Sequence, residues 1–340
     1  MSQAVASIPR AFSPLLPALL ASGALLFLVL LASLLWGAGD ISPSDAVSAL
    51  FGKGSSDAHF VVFELRGPRT LLGLLVGMAL GCAGALMQTL ARNPLAEPGL
   101  LGISAGSSFA VAVAMLLGAS AATLNVGFAQ TGALLGCLLV LATARIQGVG
   151  NDPVRLVLAG ATFSSLLMAL TSLLLMFDER TADEIRFWVI GSVAGRDLAA
   201  LRWILPSLVL AAGLTLWIAR PLAALALGER VAQGLGHHPG LVRLVTVIIV
   251  ALLVGSATAA AGPVMFIGLV VPFVARSIGG PDIRHQLLLC LLIGPTLLIT
   301  ADILCRLIAA PAEMPLGVIT AAVGAPVLLL IVRRKRMPSL

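Results

Sequence analysis

The chain has 340 residues, 59% of them hydrophobic and only 11% charged, with 21 Lys and Arg against 15 Asp and Glu for a formal net charge of +6. That balance excludes an ordinary soluble domain and leaves room for roughly ten spans of about 20 residues each. The positive charge is accounted for by membrane orientation rather than by nucleic acid.

Apolar runs separated by charged or Gly/Pro breaks predict ten transmembrane helices, near 15–36, 70–90, 100–117, 124–144, 154–177, 198–219, 241–261, 264–278, 287–309 and 316–332. The first run exceeds the roughly 7–15 residues of a secretory signal core, so it reads as a retained span. In the second, Gly73, Gly77 and Gly81 recur every four residues, a small-residue face for helix packing inside the bundle or between subunits. The stretch from Leu241 to Ala275 is too long for one span. Gly262-Pro263 supplies the break, and Pro272 in the short piece that follows predicts an irregular, protein-buried segment. "GCAGALM" at 81–87 and "AAAGPVM" at 259–265 form a faint internal echo.

Ten spans put both termini on one side. With that side cytoplasmic, the inner loops and ends hold 13 of the 21 basic residues and four acids, and the outer side holds eight basic residues and ten acids. The bias, reinforced by the basic tail at 333–340 directly after the last span, places both termini in the cytoplasm.

Catalytic chemistry is not in evidence. Lys53 in "LFGKGSS" lacks the earlier glycine of a phosphate-binding loop. His237 and His238 are adjacent without ligating neighbours, and Cys82, Cys137, Cys290 and Cys305 sit in apolar runs without metal-ligand spacing. No metal, cofactor or ATP site is therefore expected on this chain. Asp302 and Arg306 lie four apart on one helical face and can pair, thin support for a carrier driven by its own ion.

The segment 220–240, "RPLAALALGERVAQGLGHHPG", interrupts the apolar runs on the cytoplasmic side. Pro221, Gly228 and Gly236 punctuate it as two stubby helices, either a connector lying on the bilayer or a knob for a cytoplasmic partner. In this setting "LALGERVAQGLG" resembles the coupling element of the permease family of iron-siderophore, haem and cobalamin ABC importers, the type II importers. "RGPRTLLGLLVGMALGCAGALMQTLARNPLAEPGLLGISAG" (66–106), "ADILCR" and "AEMPLGVITAAVGAPVLLLIVRRK" are similar to other blocks of that family, in order along the chain.

The resemblance implies an all-α, polytopic type II ABC importer permease fold, one transmembrane domain over 1–340, in the bacterial inner membrane. It implies a pair of cytoplasmic ABC ATPases, a periplasmic substrate-binding protein and a second permease subunit, identical or paralogous. Carried over by position, Leu227, Gly228, Glu229, Ala232, Leu235 and Gly236 would dock the ATPase. Arg66, Arg69 and Arg306 would meet carboxylates of the loaded binding protein, the plain alternative being interfacial arginines with Arg306 paired to Asp302. Thr162, Ser165, Ala169 and Ser172, at helical spacing in span five, would line the translocation path, the plain alternative being hydrogen bonds between helices. A cytoplasmic gate would lie near 152–154, without a clear motif match, and "PDIRHQ" departs from relatives at the histidine position. "DEIRFWVIGSVAGRD" (183–197) is closer to siderophore members, so a ferric siderophore is the expected substrate. Cobalamin or haem is the alternative within the class, and a proton-driven carrier the alternative outside it.

Overall fold

The computed structural model describes residues 15–37, 41–119, 126–146, 153–177, 179–195, 198–309 and 314–333, and within them the chain is helical, with no strand. Its principal helices fall on the ten expected spans: α1 (Leu15–Leu35), then α4 (Gly67–Ala91), α5 (Ile103–Leu116), α6 (Val126–Ile146), α7 (Pro153–Leu174), α9 (Ala199–Ala226), α11 (Pro239–Ala261), α12 (Ile267–Gly279), α13 (Ile283–Ile308) and α14 (Leu316–Arg333). Shorter helices lie between them: α2 (Pro43–Leu50), α3 (Ser56–Phe60), α8 (Glu179–Ile190) and α10 (Glu229–Gly234). Six helices are long and apolar enough to cross a bilayer, and α5, α12 and parts of α7 and α14 are shorter apolar helices.

α4 is the central strut. Its inner face is almost wholly buried, and it packs along α13, α11 and α12. The glycine repeat explains how closely. A Cβ on Gly77 would stand 2.6 Å from the backbone of Pro295 and 2.8 Å from the carbonyl carbon of Gly294, and one on Gly84 would collide with the Gly268 carbonyl oxygen. Backbone therefore meets backbone at both places, and dispersion at that range stands in for a hydrophobic driving force that lipid does not supply. α5 and α6 repeat the device, with Gly102 and Gly106 against Gly132 and Gly136.

Three sequence expectations change in detail. The second span does not begin at 70: α3, a π-helical segment Val61–Arg66 and α4 are continuous, giving a helix of 36 residues. At 1.5 Å per residue that is about 54 Å, well beyond a hydrocarbon core of about 30 Å, so the helix is longer than such a core is thick. The irregular segment near Pro272 is displaced: residues 262–266 are non-helical, and α12 runs regularly through Pro272. The break falls at Gly262 because its φ of +73° suits glycine and its Cα side faces the carbonyl of Trp188. Finally, the echo pairs unlike elements, since 81–87 lie inside α4 whereas 259–265 straddle the end of α11.

α1 flanks this core, packed along α13. Leu16, Leu20, Phe27 and Leu28 are exposed along it, and Leu26 and Ser33 are its buried residues. Apolar side chains so placed face lipid, so the chain is a multi-pass membrane protein with α1 on its flank.

Candidate functional site

The knob expected from segment 220–240 is built at the end of α9. Pro221 does not start a separate helix, as the punctuation suggested; α9 continues through it to Ala226, so the first of the two expected stubby helices is the last turns of a long one. Leu222 and Leu225 bury themselves in the core there. The chain then turns at Gly228, whose φ of +134° is poorly open to other residues, and enters α10. Ala232 is fully buried and seats α10 against its neighbours, while Leu227 and Leu235 are 76% and 62% exposed, with Val231 beside them. Glu229, at the first turn of α10, pairs with Arg243 of α11 and pins the knob to the next span. Gly236, at φ +79°, closes the unit. The expected residues thus sort into three roles: Gly228 and Gly236 turn the chain, Glu229 and Ala232 hold α10 down, and Leu227 and Leu235 form an apolar crown outward.

Beside the knob lies the link between α4 and α5. α4 ends at Arg92, which adopts the left-handed conformation at φ +48°, and the Arg92 Nη2 donates to the Leu225 carbonyl, 2.6 Å away, in the last turn of α9. Asn93 Oδ1 accepts from the Leu95 N–H at 2.9 Å and shapes the turn. Further along, Glu97 Oε1 accepts from the Phe266 N–H at 3.4 Å, and Pro98 packs on Gly268. Phe266 caps α12 in the left-handed region at φ +69°. Burial pushes the Glu97 carboxyl above the usual carboxylate range, an effect that the Phe266 N–H partly offsets. The sequence marks 92–99, "RNPLAEPG", as a tight link stiffened by Pro94 and Pro98, but not the partners of Arg92 and Glu97; the signal available was a charged residue near each end of the link, without the glycine that ordinarily ends a helix.

At the end of the bundle where α1 terminates, the three arginines converge on one carboxylate and one helix terminus. Arg69 Nη2 donates to Asp302 Oδ1 at 2.8 Å and its Nε to both carboxylate oxygens at 3.0 and 3.1 Å. Arg306 Nη2 is 3.0 Å from Asp302 Oδ2 and 2.7 Å from Ser33 Oγ, which shares a hydrogen bond with Thr70. Arg66 donates to the carbonyls of Leu34, Leu35 and Gly37, and Arg306 to those of Ser33 and Trp36. The last turn of α1, whose carbonyls lack helical partners, is therefore capped by guanidinium groups from two other helices. Arg66 and Arg306 are each 2% exposed and Asp302 3%. Direct pairing with carboxylates of another protein would require these side chains to exchange their present partners. The expected Asp302–Arg306 pair is present, joined by Arg69.

Thr162, Ser165, Ala169 and Ser172 share an exposed face of α7. Each hydroxyl donates back to the carbonyl four residues earlier, Leu158, Ala161 and Met168 respectively, at 3.0 Å. The face is therefore weakly polar, with these hydroxyls donating within α7. The expected gate region begins at Asp152, outside the described residues, with Pro153 opening α7; the basic tail beyond Arg333 also lies outside them. Gly73, Gly77 and Gly81 pack against Ile299, Gly294–Pro295 and Cys290 of α13. The four cysteines are buried and free, and no cluster of three potential metal ligands occurs among the described residues.

Comparison with known proteins places this architecture. The model of the FecCD transport family matches residues 25–334. The chain is 43% identical over 316 residues to the ferric enterobactin transport system permease protein FepD of Escherichia coli (strain K12), covering 92% of this chain and 94% of that one. It is 39% identical over 315 residues to the vitamin B12 import system permease protein BtuC of Escherichia coli O157:H7 (strain EC4115 / EHEC), covering 91% and 92%. Among solved structures, one described as an inward-facing conformation of a metal-chelate type ABC transporter superposes with a TM-score of 0.79 at 27% identity, covering 93% of this chain and 98% of that one. ABC permeases of this kind work with ATPase and binding-protein partners, and they are transport subunits rather than enzymes. An all-helical, multi-pass chain matched along nearly its whole length in both sequence and fold belongs to the FecCD transport family.

Proposed function

We propose that this chain is the membrane permease of an ATP-driven importer that carries a ferric siderophore across the bacterial inner membrane from a periplasmic binding protein. Two copies, or this chain and a paralogue, would form the conduit, with both termini cytoplasmic. The observation that carries the reading is the knob: Leu227, Val231 and Leu235 project from a short helix that Ala232 and Glu229 fasten to the bundle. Exposed apolar side chains on a rigid cytoplasmic projection suit a docked ATPase better than water. The similarity to the ferric enterobactin permease favours a ferric siderophore as cargo, and the exposed, internally satisfied face of α7 suits a bulky chelate passing along a subunit boundary. We place the outer arginines in support of binding-protein docking: they hold the end of α1 at the mouth, where guanidinium groups orient acidic surfaces.

Similarity to the vitamin B12 permease favours cobalamin as the second reading. Uptake of radiolabelled ferric enterobactin, with haem and cobalamin as comparators, separates the two. The assay uses spheroplasts expressing the chain with a binding protein and ATPase, their proton gradient collapsed and ATP kept high. Ferric enterobactin uptake that persists is the expected result; uptake that stops with the gradient would favour a proton-driven carrier.

A further inference from the structure

The knob touches the rest of the chain through more than its own helices, and one of these contacts leads inward. Arg92 both ends α4, in the left-handed conformation, and donates from Nη2 to the Leu225 carbonyl at 2.6 Å, one residue before the end of α9. The Leu225 carbonyl, which also accepts from the Gly228 N–H at 3.0 Å, lies at the negative end of the α9 dipole, where a cation is favoured. Five residues further on, Glu97 accepts from the N–H of Phe266 and Pro98 packs on Gly268. Gly268 in turn rests its carbonyl against Gly84, seven residues inside the inner end of α4. The link is short and stiffened by Pro94 and Pro98. Its two ends thus grip two different elements, the inner end of α9 and the start of α12.

We propose that Arg92 is a positioning residue that ties the α4–α5 link to the knob, so that displacement of the inner end of α9 is carried through the link to the start of α12. The proposal rests on the reading of the knob as an ATPase dock. It gives the push a second route into the bundle besides α9 and α11, ending beside Met265, which is exposed. Coupling of this kind needs an element that two sites bias, not mere adjacency, and the link supplies a rigid one with a polar contact at either end.

Because the native cysteines are buried and free, a Met265→Cys variant can be spin-labelled selectively in the assembled permease–ATPase complex. Its spectrum is read without nucleotide and after trapping with ATP and vanadate, so no cargo is needed. The expected result is a nucleotide-dependent change at position 265 that Arg92→Ala reduces by at least about 5-fold, the low end of ordinary coupling strengths. Arg92→Lys, which retains a donor, restores most of it, and ATPase capture is unchanged throughout. An Arg92→Ala complex that responds like the parent would overturn the relay, as would a parent that binds ATPase without any change at 265. Loss of ATPase capture in Arg92→Ala would also overturn it, making Arg92 part of the dock. Failure of the parent itself to capture ATPase would instead sink the permease reading.

Discussion

Asp302 shows what one buried carboxylate supports. It neutralises part of the charge of Arg69 and Arg306, and Arg306 in turn caps α1. Removing one member of a buried ion pair leaves uncompensated charge and costs about 3–5 kcal/mol. Asp302→Ala is accordingly expected to lower the melting temperature in detergent and to release α1, read as faster proteolysis near Trp36. An unchanged melting temperature would mean that water already screens these arginines. Glu97 carries the opposite lesson. Burial disfavours its charged form, so its ionisation costs stability that is absent at low pH and grows as pH rises through its folded pKa. Glu97→Gln keeps an acceptor for Phe266 N–H and removes the charge. Its melting temperature should exceed the parent's by a margin that widens as pH rises above the usual carboxylate range; a margin that narrows would show the carboxylate to be stabilised where it sits. At the start of α13, Asp282 accepts from the guanidinium of Arg284, which holds its carboxyl below the usual range, and there acid should weaken the cap instead.

Helix pairs are where the glycines act. At Gly77 a methyl group would meet backbone of Gly294 and Pro295, which cannot yield without moving α13. At Gly73 it would meet Ile299 Cγ1 at 3.1 Å and Leu298 Cδ2 at 3.5 Å, side-chain atoms rather than backbone. Gly77→Ala should therefore cost about 1–3 kcal/mol by overpacking, and Gly73→Ala distinctly less, in parallel thermal melts. Equal losses would mean that the α4–α13 contact is looser than its geometry shows. This contrast was half legible in the sequence. The four-residue spacing identified the packing face, and the apolar runs located ten helices, because both are periodic properties of one segment. Which glycine meets backbone and which meets a side chain depends on the partner helix, more than 200 residues away. The same reason hid the arginine cap: "RGPR" and "ADILCR" each announce charge at a helix end, but only the fold brings them to the last turn of α1. Pro221 misled for a local reason, since a proline can stay within a helix whose surroundings hold it.

For the whole molecule, the decisive feature is a bundle whose helices meet backbone to backbone at glycines, with an apolar projection exposed at the end of α9. Tight glycine contacts run through α4, α12 and α13, and the knob on α9 and α10 carries Leu227 and Leu235 outward. If that projection is the seat of the motor, replacing its crown should detach the motor without unfolding the bundle, because neither leucine is buried. The measurement to make is co-purification, from detergent-extracted membranes, of the co-expressed ABC ATPase with the unaltered chain and with Leu227→Asp/Leu235→Asp. The expected result is a stoichiometric complex for the first, and for the second a loss of ATPase with yield and melting temperature unchanged. Full retention of the ATPase by the double variant would contradict the assignment of the knob as its dock.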